Sequence, residues 1–156
     1  MYNLNIASLV NEIAMYRMLN ELGVEGVPNM YGHAIIGKYG VIVMTLLDYD
    51  LTSFVKSAIY LTYTLEDKMD LCNKFISVLH RINSQYVAHL DVKPANLGVI
   101  VDPSNNEVKV FVFDFGLSVL TGGKSDRCRG CTLEYASPEQ ISNHFSSTAN
   151  GKFYMR

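Results

Sequence analysis

The sequence predicts an α+β fold, because apolar residues recur at helical spacing in two segments and form short strand-like runs in four others. The helical segments span residues 4–22 and 65–82. The strand-like runs come in two pairs, and turn-forming residues divide each pair as they do in a β-hairpin. With 156 residues, of which 49% are hydrophobic and 18% charged, the chain is long enough to enclose one core.

The first helix is predicted from apolar residues three and four positions apart, followed by Gly23 as a stop signal. Its apolar positions are Ile6, Leu9, Val10, Ile13, Met18, Leu19 and Leu22. Glu12 lies within the same segment. The first hairpin follows, with strands predicted at residues 30–36 and 40–47 around the turn sequence GKYG.

The second helix is predicted to begin after Thr64, whose side chain can cap the first turn. Glu66 and Asp67 lie in that turn, where acidic side chains stabilise the helix by interacting with its dipole. Its apolar positions are Leu65, Met69, Cys72, Phe75, Ile76, Leu79 and Ile82. A polar connector at residues 47–54, leading into a short helix, precedes this segment.

The second hairpin is predicted at residues 97–101 and 108–113, because the sequence DPSNNE between them is rich in turn formers. Residues 121–130 are rich in glycine and serine, which is typical of a surface loop. Pro138 is placed to start a last helix, since proline is favoured in a first helical turn.

Charge and hydropathy exclude two classes of partner. The net charge is −2 and the pI about 6.0, and neither lysine nor arginine clusters along the chain. We therefore expect no nucleic-acid partner and no anionic membrane partner. The longest apolar run, residues 41–47, is far shorter than the roughly 20 residues of a transmembrane helix. The first residues lack a basic start and an apolar signal core, so we expect a cytoplasmic or nuclear protein that is not secreted.

The three cysteines are too few for a disulfide framework, and we expect reduced thiols. Cys128 and Cys131 form a C-x-x-C pair that could belong to a redox or zinc site. Cys72 is distant in sequence, and no second pair completes four ligands, so two loop thiols are the simpler interpretation.

Chemistry-bearing residues concentrate between the second helix and the second hairpin, in the sequence HLDVKPANLGVI at residues 89–100. Asp91, Lys93 and Asn96 stand here between apolar runs, and the sequence DFG follows at residues 114–116. The sequence CTLEYASPE then ends at Glu139. In order and spacing, these three motifs resemble the catalytic domain of protein kinases. The resemblance implies a partial protein-kinase-like fold.

The resemblance also implies roles in phosphoryl transfer, a reaction that depends on positioning and on charge neutralisation. Asp91 would accept a hydrogen bond from the substrate hydroxyl, and Lys93 would contact the transferred phosphate. Asn96 and Asp114 would hold Mg²⁺, which prefers a few protein oxygens together with phosphate oxygens. ATP is the implied phosphate donor, and His89 would be a packing residue of the loop.

Four further residues would lie on the nucleotide side of the site. Glu12 corresponds to the helix glutamate that pairs with a strand lysine in kinases, although a solvated helix acid is the alternative. Met44 would lie behind the adenine pocket, with Leu46 and Leu47 on the connector that binds adenine. For Met44, Leu46 and Leu47, a purely structural role in the core is an equally open alternative. Thr132 and Glu139 belong to the implied substrate loop.

The chain also departs from the family pattern. A glycine-rich loop and a strand lysine would precede the helix that carries Glu12, and large helices would follow Glu139, but neither fits in the sequence given. We therefore expect residues 1–46 to be a remnant of the N-terminal lobe and residues 47–156 a truncated C-terminal lobe. Leu90 occupies the position where many kinases have an arginine, so a phosphate on Thr121 or Ser125 would lack its usual anchor.

Two functions follow from the resemblance. The first is a serine/threonine kinase segment, indicated by Lys93 and Thr132, that acts on a protein and transfers phosphate slowly or not at all as an isolated chain. The wider pattern loosely resembles the casein-kinase-type group. The alternative is a non-catalytic decoy that binds a kinase or a kinase substrate. The four retained residues Asp91, Lys93, Asn96 and Asp114 favour the first.

Overall fold

The computed structural model describes residues 6–37, 39–121 and 131–142, and it confirms the α+β class. Helix α1 (Ile6–Glu21) leads into a hairpin of β1 (Met30–Ile36) and β2 (Tyr39–Met44). The elements that follow are β3 (Tyr49–Asp50), α2 (Leu51–Phe54), α3 (Ala58–Leu61), α4 (Leu65–Ser84), β4 (Val87–Ala88), β5 (Leu97–Val101), β6 (Val108–Val112) and β7 (Val119–Leu120). Short 3-10 turns at Pro94–Asn96 and Leu133–Tyr135 and a helical segment at residues 138–142 complete the described chain.

The β1–β2 hairpin rests on α1 through a glycine. A Cβ atom on Gly40 would collide with the end of the Leu9 side chain, so glycine lets strand and helix approach this closely without moving Leu9. The predicted second strand ran to residue 47, but β2 ends at Met44 and the next residues form the connector. The two strands nevertheless pair antiparallel, as the predicted hairpin requires, with an irregularity in the register between Met30 and Gly32.

The core lies between α4 and a three-stranded antiparallel sheet of order β3-β5-β6. Helix α4 begins where the sequence predicts, because Thr64 and Asp67 cap each other: the Thr64 hydroxyl accepts from the Asp67 amide, and the Asp67 carboxylate accepts from the Thr64 amide. The buried side chains of α4 are Leu71, Phe75, Val78 and Ile82. They pack in one cluster with Val99 and the inward valines of β6.

The predicted apolar faces of the two long helices were partly wrong. On α4, Leu65, Met69, Cys72 and Ile76 are exposed. On α1, Val10 is exposed, and the buried positions are Leu9, Met15, Tyr16 and Leu19. Leu22, predicted as the last apolar position of this helix, lies just beyond its end and is also exposed. Both helices carry apolar residues on more than one face, so the spacing alone did not identify the face that packs.

Two small pairings position the loop between β4 and β5. Strand β4 pairs with β7, which aligns Ala88 with Val119, and β5 pairs with β6, which aligns Leu97 with Val112. The loop at residues 89–96 is thus held at both of its ends by strand pairs, and the DFG sequence at residues 114–116 lies between the partner strands. The residues that carry the kinase resemblance are therefore brought to one edge of the fold.

Some predictions fall outside the described residues. These are most of the loop at 121–130 with Ser125 and Cys128, the start of the first helix before Ile6, and the last helix beyond residue 142. Pro138 does open a helical segment as predicted. None of the described helices is long and apolar enough to cross a membrane.

Candidate active site

The loop at residues 89–96 is built on an unusual backbone. Leu90 has a φ of 64°, in the left-handed region that non-glycine residues seldom adopt, and its carbonyl accepts a hydrogen bond of 2.8 Å from Nε2 of Gln140. A 3-10 turn follows at Pro94–Asn96. In it, the backbone N–H of Asn96 donates to the Lys93 carbonyl at 2.9 Å. Such strain is characteristic of functional loops that the surrounding structure holds in place.

Asp91 is the centre of a hydrogen-bonded cluster. Its Oδ2 accepts from Nζ of Lys93 at 2.6 Å and from Nδ2 of Asn96 at 3.0 Å, and its Oδ1 accepts from the Thr132 hydroxyl at 2.6 Å. Lys93 Nζ also donates to the Thr132 hydroxyl at 3.0 Å, so the two side chains contact each other as well as Asp91. Both oxygens of the Asp91 carboxylate are therefore hydrogen-bonded, and these contacts fix its orientation.

These contacts keep Asp91 ionised although it is only 7% exposed. Burial tends to raise the pKa of Asp91, but the hydrogen bonds from Lys93 and Thr132, the Lys93 charge and the Asn96 amide together outweigh burial and lower it. A buried carboxylate that stays charged next to a lysine can accept a hydrogen bond from a hydroxyl group.

His89 is buried beneath this cluster as a neutral side chain. Its Nε2 lies 3.0 Å from the Phe113 carbonyl, which can only accept, so Nε2 carries the proton. Nδ1 then accepts from the Asp91 amide at 3.3 Å. Burial lowers the pKa of His89, in agreement with the neutral form. The ring also contacts Phe115 at a centroid distance of 5.0 Å, so His89 is a packing residue, as the resemblance implied.

Asn96 and Asp114 lie at the same end of the β5–β6 hairpin. Asn96 directly precedes β5, Asp114 follows β6 by two residues, and the Asn96 carbonyl accepts from the Phe113 amide at 3.0 Å. Asp114 has a φ of 65°, and its amide donates to the Tyr16 hydroxyl at 3.0 Å. The fold thus brings the start of one strand and the end of the other together, beside the loop that carries Asp91.

Helix α1 holds the loop after Asp114 through two polar side chains. Nδ2 of Asn11 donates to the carbonyls of Phe115 at 3.2 Å and Ser118 at 2.9 Å, and the Ser8 hydroxyl donates to Gly116 at 3.1 Å. The Ser118 hydroxyl in turn donates to the His89 carbonyl at 3.1 Å. A continuous set of hydrogen bonds therefore joins α1, the loop at residues 115–118 and the loop that carries Asp91.

Glu12 faces the same loop from α1. Burial, and secondarily repulsion by the Asp114 carboxylate, raise the pKa of Glu12 from 4.5 to about 7. Glu12 is half-buried. The raised pKa means that a cation placed between Glu12 and Asp114 would relieve the repulsion.

The three residues predicted on the adenine side differ in their surroundings. Met44 is half-buried and packs against the core, whereas Leu46 is 86% exposed. Leu47 packs over Gly98, where an added Cβ would lie 2.5 Å from a Leu47 methyl carbon. Leu46 is therefore not a core residue, while Met44 and Leu47 retain a packing role next to the connector.

The two predicted substrate-loop residues also differ in their contacts. Thr132 joins the Asp91 cluster directly. Glu139 is exposed at the start of the helical segment 138–142, where hydrogen bonds at the helix start lower its pKa. Its neighbour Gln140 makes the contact to the catalytic loop instead, through the Leu90 carbonyl.

Sequence reasoning missed Ser8, Asn11, Tyr16 and Gln140. One signal was available for the last: Ser137 and Gln140 have capping-box spacing, and their side chains and amides do bond reciprocally at 3.0 and 3.4 Å. That pattern locates the helix start but not the contact with Leu90. The α1 residues reach carbonyls about 100 positions away, and such contacts leave no local pattern.

The donor atoms at the hairpin end fit a hard cation. Asn96 is only 4% exposed, and its Nδ2 is committed to Asp91, so its Oδ1 must be the outward oxygen. Within the described ranges, no buried side-chain oxygen lacks a partner, and Asn96 Oδ1 accepts no hydrogen bond, so this atom is open to solvent. The same ranges contain no group of three or more histidine, cysteine or acidic side chains placed to hold a metal on their own. An amide oxygen and a carboxylate instead suit an ion that keeps water or phosphate ligands.

Comparison with known proteins finds protein kinases. The protein kinase domain matches residues 3–151. The mouse interferon-induced, double-stranded RNA-activated protein kinase is 33% identical over 75 residues, which are 47% of this chain and 14% of that protein. The probable serine/threonine-protein kinase ifkB of Dictyostelium discoideum is 34% identical over 88 residues, or 54% of this chain and 6% of that protein. Myosin light chain kinase A of the same organism is 30% identical over 81 residues, which are 51% of this chain and 27% of that protein.

The chain thus spans between 6% and 27% of the length of these relatives. The domain match, in contrast, covers nearly all of the chain, including α1, both hairpins, the Asp91 loop and the DFG sequence. On this match, the chain belongs to the protein kinase family.

Proposed function

We propose that this chain is a catalytic segment of a serine/threonine protein kinase, which transfers the γ-phosphate of ATP to a hydroxyl group of a protein. The observation that supports this most is the orientation of the Asp91 carboxylate by Lys93, Asn96 and Thr132, at the hairpin end that carries Asp114. Such a cluster supplies a hydrogen-bond acceptor and a cation within one small volume.

Each residue has a distinct role in this proposal. Asp91 accepts the hydrogen bond of the substrate hydroxyl and takes its proton, as the hydroxyl oxygen forms a bond to the γ-phosphorus and the bond to the β-phosphate oxygen breaks. Lys93, placed between Asp91 and Thr132, neutralises charge on the transferred phosphate. Thr132 fixes Asp91 and Lys93 relative to each other.

Asn96 Oδ1 and the Asp114 carboxylate hold Mg²⁺ in this proposal. When bound, the ion supplies charge neutralisation for the phosphates of ATP. On the nucleotide side, Glu12 faces Asp114, and the connector with Met44, Leu46 and Leu47 is the candidate adenine contact. The protein partner is a substrate or another kinase, and the use of ATP fits the cytoplasmic or nuclear location that the sequence predicts.

The proposal is tested by incubating the purified chain with Mg²⁺, ATP labelled at the γ-phosphate, and dephosphorylated casein as a generic serine/threonine acceptor. We expect slow labelling of serine or threonine on casein, in line with the weak transfer that the sequence predicts for the isolated chain. Asp91→Asn should reduce the rate at least about a hundredfold, because it removes the proton acceptor while the site keeps its shape. Asp114→Asn should instead weaken Mg²⁺-dependent ATP binding, measured as the ligand-induced rise in melting temperature.

A lack of both transfer and Mg²⁺-dependent ATP stabilisation in the unsubstituted chain would overturn the proposal. Binding of a full kinase by such an inert chain would then favour the decoy alternative. Lys56→Glu, an exposed charge change on a different part of the surface, is the control and should change neither measurement.

A further inference from the structure

A groove of about 800 Å³ lies away from the Asp91 cluster, between α4, the edge strand β6 and the loop at residues 23–27. Strand β6 is the last strand of its sheet, so one of its backbone edges is not paired with another strand of the described chain. That edge lines the groove from Val108 to Phe111. None of the residues around the groove belongs to the proposed catalytic site.

The direction of the β6 backbone groups follows from two hydrogen bonds at its C-terminal end. The Val112 amide donates to the Gly26 carbonyl at 2.8 Å, so it points away from β5 and towards the loop at residues 23–27. The Phe113 amide points the opposite way, to Asn96. Because backbone groups alternate along an antiparallel strand, the N–H and C=O groups of Val108 and Val110 share the direction of the Val112 amide.

These backbone groups of Val108 and Val110 have no hydrogen-bond partner within the described ranges. The Val112–Gly26 bond shows that a backbone carbonyl of a neighbouring segment can pair with this edge. Gly26 also closes one end of the groove: it has a φ of 86°, and a Cβ atom there would collide with Val78 of α4. The loop is therefore fixed against the helix, and the unpaired part of the edge runs along Val108 and Val110, which are 6% and 9% exposed and line the groove.

Charged side chains stand on both sides of this edge. Lys74 and Arg81 line the groove from α4, and Lys109 lines it from the exposed face of β6. The acidic groups are Asp70, which is bound to Lys74 at 2.9 Å, and Glu25, whose backbone carbonyl accepts from Nε of Arg81 at 3.2 Å. Lys74 and Asp70 neutralise each other, so Arg81 and Lys109 remain in the groove against the carboxylate of Glu25. Asp102, outside the groove lining, also attracts Lys109.

We propose that this groove binds an extended, acidic peptide segment of a partner protein as an added strand along β6. Its backbone pairs with Val108 and Val110, as in recognition by strand addition. Its side chains point alternately to the two sides of the sheet, so carboxylates reach Arg81 on one side and Lys109 on the other. The proposal does not depend on phosphoryl transfer, because it uses no residue of the catalytic site.

The test uses nuclear magnetic resonance of the ¹⁵N-labelled chain with a blocked octapeptide in which glutamate and valine alternate. We expect the amide signals of Val108 and Val110 to shift, and their hydrogen exchange to slow at least about tenfold at saturation, as strand pairing requires. Lys109→Glu should raise the dissociation constant of the peptide at least about tenfold. The matched change Lys56→Glu, outside the groove, should alter this constant less than about twofold. The melting temperature of each variant verifies its fold.

Three results would overturn the proposal. One is the lack of any shift at Val108 and Val110 up to about 1 mM peptide, which would place the dissociation constant beyond useful binding. Another is equal binding by the Lys109→Glu variant or by a peptide with lysine in place of glutamate. The third is strong exchange protection of both amides before peptide is added, because the edge would then already be covered by another part of the protein.

Discussion

The Thr132 hydroxyl is the contact through which the substrate loop reaches Asp91, 41 residues earlier in the chain. In the transfer assay, we expect Thr132→Ala to lower kcat about tenfold to a hundredfold, the effect of losing a hydrogen bond to a charged group. The KM for ATP should change less than kcat, because Thr132 contacts Asp91 and Lys93 but neither of the residues assigned to Mg²⁺, Asn96 and Asp114. Steady-state kinetics with varied ATP separates the two constants.

Thr132→Ser is the matched variant, because it keeps the hydroxyl and loses only a methyl group. It should restore most of the rate. An equal loss in the serine and alanine variants would contradict the role assigned to the hydroxyl and would indicate a packing role instead.

Glu12 makes stability depend on pH, because its pKa is raised to about 7 in the folded protein. Between about pH 4.5 and pH 7, the folded chain holds a proton on Glu12 that the unfolded chain has lost, so the free energy of unfolding falls as the pH rises. Glu12 is partly solvated, and we expect a loss of about 1–2 kcal/mol rather than the full value of the shift. Denaturant unfolding with EDTA and without nucleotide, at pH 5 and pH 8, measures this loss.

Glu12→Gln removes the titrating group, so the difference between the variant and the unsubstituted chain isolates this effect. The variant should be the more stable protein at pH 8, and its advantage should shrink at pH 5. An advantage that is the same at both pH values would mean that Glu12 titrates normally.

At the scale of elements, helix α1 is coupled to the DFG loop by Asn11, which donates to the Phe115 and Ser118 carbonyls. Asn11→Ala leaves both carbonyls without this donor, so we expect the free energy of unfolding to fall by about 1–3 kcal/mol. Mg²⁺-dependent ATP binding should weaken as well, because the loop that Asn11 holds begins at Asp114. Asn83→Ala, at an exposed position of α4, is the control and should change stability by less than about 0.5 kcal/mol. Equal effects of the two substitutions would contradict the coupling.

The turn after α1 contains two glycines that offer a matched comparison. Gly23 and Gly26 both have positive φ, 66° and 86°, but a Cβ on Gly23 would meet no atom within 4 Å, whereas on Gly26 it would collide with Val78. Gly23→Ala should lower the free energy of unfolding by about 1–2 kcal/mol through backbone strain alone. Gly26→Ala should lower it by a further 1–3 kcal/mol, or about the usual effect of overpacking. Similar losses in both variants, measured in urea, would show that the loop moves away from α4 easily.

Helix α4 shows why the sequence predicted an element better than its packing. Its bounds followed from Thr64 and the apolar spacing, but two apolar stripes share the same spacing of four, three and four residues. One stripe is Leu65, Met69, Cys72 and Ile76, and the other is Leu71, Phe75, Val78 and Ile82. The stripes lie about 120° apart at 100° per residue, so periodicity cannot choose between them. Only the second packs on the sheet.

At the scale of the whole molecule, the candidate site was predictable where its residues are neighbours in sequence. Asp91, Lys93 and Asn96 occur within six positions, and the fold brings Thr132 to them as the motif order suggested. Asn11, Tyr16 and Gln140 were not predictable, because each reaches the site from a distant element through a backbone group, and any residue type presents the same backbone group. The catalytic and metal-binding roles themselves remain predictions.

The central claim is that Asn96 and Asp114 hold one metal–nucleotide site beside Asp91. Its most direct test is the paramagnetic broadening of amide signals in the ¹⁵N-labelled chain when Mn²⁺ and a non-hydrolysable ATP analogue are added together. We predict selective broadening in the loop that contains Asp91 and Asn96 and around Asp114, and its loss in the Asp114→Asn variant. Broadening that is absent, lies elsewhere on the chain, or persists unchanged in that variant would contradict the claim.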